Sequence, residues 1–155
     1  MTTAVSTATP RRLSVDGKLR IAIGVLSLIG IGIGTYLTYT HYAKLNVLCL
    51  SSGGCETVQH SSYAVIAGIP VAVLGLAAYL AILGTAIARG PTAAAVGFGL
   101  AAAGVAFSAY LLVAQLFLIH AICQYCVASD VLVTLLAVAT WARFALAQRA
   151  VPAAA

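Results

Sequence analysis

Acidic side chains are almost missing from this chain: Asp16, Glu56 and Asp130 are the only three in 155 residues, set against eight Lys and Arg. Charged residues of either sign make up 7% of the sequence, where a soluble globular domain carries about a quarter. That scarcity excludes an ordinary water-soluble domain. The eight basic residues do not cluster. Arg11, Arg12, Lys18, Arg20, Lys44, Arg89, Arg143 and Arg149 are scattered between apolar blocks, so the net charge of +5 forms no stripe that would track a phosphate backbone, and no nucleic-acid partner is expected. Their spacing reads as topology signals instead.

What remains is apolar. Hydrophobic residues make up 63% of the chain and the mean hydropathy is +1.08, which predicts an all-α integral membrane protein in contact with lipid. A span needs roughly 20 apolar residues, and four blocks qualify, at about 19–42, 69–88, 92–119 and 122–144. The expected organisation is a disordered cytoplasmic tail over 1–18, a four-helix membrane domain over 19–147 and a cytoplasmic tail over 148–155. The first block is longer than the 7 to 15 residues of a signal-peptide core and reads as an uncleaved anchor. Arg89-Gly90-Pro91 is a tight turn, and the connection near 120–123 is shorter still. Only the first connection, about 43–68, has room for structure of its own.

With both termini in the cytoplasm, every basic residue except Lys44 falls inside, as the positive-inside rule prefers. The first and third connections then face the extracytoplasmic side, and they carry all four cysteines. Gly30 and Gly34, and Gly104 with Ser108, are small-residue pairs expected at close helix contacts.

Cys49 and Cys55 flank a Ser- and Gly-rich connector, whereas Cys123-Gln124-Tyr125-Cys126 opens the last helix. Residues three apart on a helix share a face, and a helix N-terminus favours a thiolate. A CxxC placed there suits thiol exchange, which needs thiolate and access. As a staple it would add little, because the helix already orders the loop it closes. The loop pair alone reads equally as an inert disulfide. A four-cysteine zinc site is another reading of two thiolate pairs, although Cys-x5-Cys is looser than the usual knuckle. Haem attachment would need His directly after the CxxC, where Val127 stands.

Together these residues resemble the vitamin K epoxide reductase family, in particular its bacterial branch of disulfide-forming quinone reductases. The resemblance rests on the Cys49-x5-Cys55 pair, the run from Cys55 to Ala64, Gly68-Ile69-Pro70 ahead of helix two with Gly75-Leu76-Ala77-Ala78-Tyr79, and the CxxC. It implies a four-helix bundle holding a quinone, ubiquinone or menaquinone, near the outer face. It further implies that Cys49 exchanges with a separate extracytoplasmic thioredoxin-fold partner, that Cys55 exchanges with Cys123, that Cys126 faces the quinone, and that Ser61 polarises a quinone oxygen. A hydroxyl aimed at developing negative charge fits that role, while a cap for a short loop helix is the plainer one.

Other polar residues are expected to be structural. Asp130, one turn beyond Cys126, is an ionisable group in a membrane segment and so a candidate to steer protons to the reduced quinone or to line the pocket, although it sits near the outer interface where water can reach it. Gln115 is expected to bond a neighbouring helix. His41, His60 and His120 fall at the outer surface, and Tyr36, Tyr39, Tyr42, Tyr63 and Trp141 in interfacial belts. A small transporter or packing subunit with structural disulfides is the rival class, but a transporter should show intramembrane charges or broken helices.

Overall fold

The computed structural model describes residues 10–49 and 54–149. Four long helices run up and down: α1 (Pro10–Ala43), α3 (Val71–Ile87), α4 (Pro91–Val113) and α5 (Gln124–Gln148). Between α1 and α3 lie a short helix α2 (Gly54–Gln59), a 3-10 turn (Ser62–Ala64) and a hairpin of β1 (Val65–Ile66) with β2 (Ile69–Pro70). Positive φ at both Ala67 and Gly68 gives this hairpin the backbone of a type I′ turn. The first connection thus forms a cap over one end of the bundle. Most of its connector, Leu50 to Gly53, lies outside the described residues, as do 1–9 and 150–155 of the expected tails.

One boundary departs from expectation. Helix α1 begins at Pro10, so residues 10–18 are helical and not a disordered tail. Pro fits the first helical position because it lacks the N–H that would be orphaned there, and Asp16 on the added turns pairs with Arg143 of α5, Nε to Oδ1 3.2 Å. The last helix likewise runs on to Gln148.

Three helical stretches are long and apolar enough to cross a membrane: Ser14–Ala43, Pro91–Ile119 and Gln124–Gln148. The fourth, α3, is apolar but has 17 residues, about 26 Å at the helical rise against a hydrocarbon core of about 30 Å. Its C-terminal carbonyls, which no intrahelical donor can reach, are taken by two arginines. Arg20 donates to Ala86 O (2.7 Å) and Ile87 O (2.6 Å), and Arg143 to Thr85 O (2.6 Å) and Ala88 O (2.8 Å). Cations at a helix C-terminus also oppose its dipole. Both residues, expected as topology signals, therefore also close a helix.

Packing follows small residues. A Cβ on Gly30 would collide with the ring of Tyr79, and one on Gly34 would press on Leu76, so α1 and α3 touch where the sequence placed its glycine pair. Tyr79, Ile82, Ile23, Ala101 and Leu136 meet in the interior. The outward surface is apolar on every long helix: Ile21, Leu28, Leu80, Val96, Val113, Val138 and Trp141 are all exposed. A soluble monomer does not expose so continuous an apolar belt; lipid accounts for it.

Candidate active site

The four cysteines meet at the capped end of the bundle. After α1 the chain turns at Lys44, which has φ 52, and runs without regular structure to Cys49. Cys49 and Cys55 are joined as a disulfide with Cα atoms 6.1 Å apart, and the Cys55 N–H donates to Cys49 Sγ at 3.3 Å. Gly54 lets α2 settle against the connection that leads into α5, since a Cβ there would come within 2.5 Å of the Ile122 carbonyl oxygen. In consequence Cys55 is fully buried in one cluster with Cys123 and Val58, flanked by Cys49 and Cys126. Cys123 and Cys126 are free thiols. The loop pair is thus oxidised and the helix pair reduced, a pairing that sequence spacing left open.

The position of Cys123 depends on how α4 ends. Ala114–Ile119 is π-helical and stops at His120 in the left-handed region, φ 55 and ψ 32, a geometry that recurs at functional sites. The wide turn brings the buried Gln115 back under the CxxC. Its Oε1 accepts the Cys123 N–H at 2.9 Å, one of the donors a helix start would otherwise leave orphaned. Gln115 was expected to bond a neighbouring helix; it holds the residue that opens one. The Cys123 thiol is lowered to about 6, first by a hydrogen bond from the Cys126 thiol, with burial opposing and the first-turn N–H groups of Cys126 and Tyr125 and the Gln59 side chain assisting.

Two tyrosines grip the residue before Cys49. The Leu48 N–H donates to the Tyr36 hydroxyl (3.1 Å), the Tyr125 hydroxyl donates to the Leu48 carbonyl (2.9 Å), and the two rings pack with centroids 5.3 Å apart. Tyr36, expected in an interfacial belt, and Tyr125, a spacer of the CxxC, together tie the loop pair to the helix pair.

Directly beneath lies a cavity of about 370 Å³ walled by apolar side chains of all four long helices and the cap. Among the described residues Cys126 is the cysteine that lines it, and Ser61 lines it from the cap. The Ser61 hydroxyl donates to Val58 O at 2.7 Å and does not cap the 3-10 turn that follows, so the plainer role expected for it is replaced by a bond back to α2. Tyr63, Tyr79, Ser129 and Asp130 add the other hydroxyl and carboxyl groups of the wall, with Ser108. The Tyr79 hydroxyl and Ser129 Oγ are 2.7 Å apart. Asp130 is drawn into the wall and receives the Ser108 hydroxyl on Oδ1, while its Oδ2 is buried without a partner. His60 and His120 are exposed, and among the described residues no three His, Cys, Asp or Glu side chains converge as a metal site requires.

Residues 21–141 match the model of the Vitamin K epoxide reductase family. The chain belongs to this family. Membership makes the protein a helical membrane oxidoreductase, and the two cysteine pairs give it the means of thiol–disulfide chemistry. The match takes in every cysteine, Ser61 and the cavity walls. An apolar chamber with few polar groups also fits the quinones that vitamin K epoxide reductase family members generally use.

Proposed function

We propose that this protein reoxidises a separate extracytoplasmic thioredoxin-fold partner and passes the electrons through its two cysteine pairs to a membrane quinone, ubiquinone or menaquinone, so supporting disulfide formation in exported proteins. The observation that carries this is a division of labour among four sulfurs. Cys55 and Cys123 share one buried cluster, while Cys126 faces the cavity next to it. All four long helices are read as spans, with both termini and the arginine-closed end of α3 in the cytoplasm and the cysteines outside. Arg20 and Arg143, with long side chains on the last carbonyls of α3, let this short helix meet the inner interface.

A partner thiolate attacks Cys49, the half-buried end of the loop disulfide, because Cys55 is fully enclosed. A second partner thiol completes its own disulfide and leaves Cys49 and Cys55 reduced. Cys55 then attacks Cys123 of an oxidised helix pair, releasing Cys126, and Cys49 closes on Cys55, releasing Cys123. A leaving thiol of low pKa departs faster, and Cys123 is the lowered one. The result is the arrangement seen here, loop pair oxidised and helix pair reduced. A quinone in the cavity accepts two electrons and two protons as the Cys123–Cys126 disulfide re-forms. Ser61 turns its hydroxyl from Val58 O toward the acceptor oxygen, where a donor stabilises charge as it develops.

The test is quinone reduction by purified protein in detergent, driven by a reduced thioredoxin-fold protein or by dithiothreitol. Cys126→Ala is expected to be inactive with either reductant. Cys49→Ala should fail with the protein partner and retain turnover with dithiothreitol. Wild-type rates in both variants would return the cysteines to a structural role.

A further inference from the structure

Among the described buried side-chain atoms, three lack a hydrogen-bond partner: Ser27 Oγ, Thr38 Oγ1 and Asp130 Oδ2. Only Asp130 of these residues lines the cavity. A buried carboxyl oxygen without a partner carries its full desolvation cost, and in a membrane helix an ionisable side chain is retained where it does chemistry. Its geometry is specific. Asp130 is four residues beyond Cys126 on α5, so the two side chains stack on one helix face about 5 to 6 Å apart at Cβ. Ser108 of α4 occupies Oδ1 and leaves Oδ2 without a partner, on a residue that lines the chamber.

We infer that Asp130 is a further catalytic residue, the proton carrier between the Cys126 thiol and an oxygen of the bound quinone. The inference rests on the quinone reading above. In the step it serves, the Cys126 S–H bond breaks, the Cys123 thiolate and the Cys126 sulfur form one S–S bond, and both electrons go to the quinone. The Cys126 proton passes to the Asp130 carboxyl, whose Oδ2 delivers one proton to the near oxygen. Cys123 has already given its proton to water on the outer face, and water supplies the proton for the other oxygen. The sum is dithiol plus quinone giving disulfide plus quinol, and Asp130 ends as it began.

The wall offers little to replace it. The other titratable side chains that line the cavity are Tyr63 from the cap, Tyr79 from α3 and Cys126 itself; α1 and α4 contribute none. Tyr79 already shares a hydrogen bond with Ser129. Ser108 holds the carboxyl and is a positioning residue.

The experiment uses full-length protein in nanodiscs with ubiquinone-1 as acceptor and dithiothreitol as reductant, comparing wild type with Asp130→Asn and Asp130→Glu. Three quantities are read: kcat and quinone KM, the redox state of each cysteine pair by maleimide gel shift, and the infrared carboxyl band on adding ubiquinone-1 without reductant. Loss of one general acid–base contribution is worth about 10² to 10⁴ in rate. Asp130→Asn should lose at least about 100-fold in kcat with KM changed far less, and its helix pair should accumulate reduced while the loop pair still exchanges with dithiothreitol. Asp130→Glu should recover part of the rate. The carboxyl band of wild type should shift with ubiquinone-1, and that shift should vanish in Asp130→Asn. Turnover of Asp130→Asn within threefold of wild type overturns the inference, as does an Asp130→Glu variant equally inactive with its cysteine exchange intact. If wild type reduces no quinone at all, the broader functional reading fails and not the assignment of Asp130 alone. Loss of loop-pair exchange in Asp130→Asn would mark a folding role and overturn the inference too.

Discussion

Removing one sulfur should deactivate its neighbour. The Cys123 thiol is lowered to about 6, and the first cause is the hydrogen bond from the Cys126 thiol. Cys126→Ala deletes that donor but keeps the backbone N–H of residue 126, the N–H of Tyr125 and the Gln59 side chain. Burial of Cys123, which opposes ionisation, is unchanged. The Cys123 pKa should therefore rise to the ordinary cysteine range, about 8.5, or above it. With a pKa of about 6, roughly nine in ten Cys123 side chains are thiolate at neutral pH, whereas at about 8.5 roughly 3% are. The substitution should cost about 30-fold in thiolate. The sign is that of an acid with lowered pKa: the thiolate is present above about pH 6 and is lost as pH falls through that value.

The check is ultraviolet thiolate absorbance across pH in a Cys49→Ala/Cys55→Ala background, where only the helix pair titrates. The first proton should leave near pH 6 with Cys126 present and above pH 8 without it. A midpoint that stays near 6 in the Cys126→Ala protein would refute the reasoning by giving the activation to the start of α5. A first midpoint near 8.5 with both thiols present would refute it more completely, since Cys123 would then have no advantage as a leaving group.

Two further substitutions test the ends of the molecule. Arg143→Met strands the Thr85 and Ala88 carbonyls at the end of α3 and should lower the unfolding free energy by about 2 to 4 kcal/mol, whereas Asp16→Asn should change it by less than about 1 kcal/mol because Asp16 is 41% exposed; thermal unfolding in detergent ranks the two. Tyr36→Phe/Tyr125→Phe removes both hydrogen bonds to Leu48, worth about 1 kcal/mol each, and should speed reduction of Cys49–Cys55 by dithiothreitol at least about fivefold, while an unchanged rate would show that the tyrosines do not restrain Cys49.

Much of this arrangement is legible in the sequence because lipid allows few alternatives. With no water to satisfy backbone groups, an apolar block of 20 residues can only be a helix, and the glycines at 30 and 34 mark its closest neighbour. The four cysteines announce themselves by spacing. What the sequence hides is whatever depends on a long-range meeting of side chains. Arg20 and Arg143 read as interchangeable positive charges, yet 67 and 58 residues separate them from carbonyls they close. Gln115 reads as a polar residue in an apolar helix, and only the π-turn after it reveals that it faces back toward Cys123. Asp130 reads as a residue near the outer interface that could line a pocket, and only the long-range bond from Ser108 of α4 shows how it is held in the cavity wall. Tyr36 looks like a belt residue and Tyr125 like a spacer of the CxxC, and no local pattern predicts that both would seize Leu48.

Strain is distributed as the proposed chemistry requires. Lys44, Ala67 and His120 are the non-glycine residues of positive φ among those described, each costing about 1 to 2 kcal/mol, and all three lie at the cysteine end. Lys44 turns the chain out of α1 toward Cys49, Ala67 folds the cap over the cavity, and His120 ends α4 so that Cys123 can begin α5. The opposite end has its helix closed by two arginines and a turn built on Gly90 and Pro91, residues suited to their backbone angles. A relay needs sulfurs that change partners above a chamber that does not change shape. Regular, well-closed helices supply the chamber, and the irregular backbone that brings the sulfurs together is confined to the layer above it.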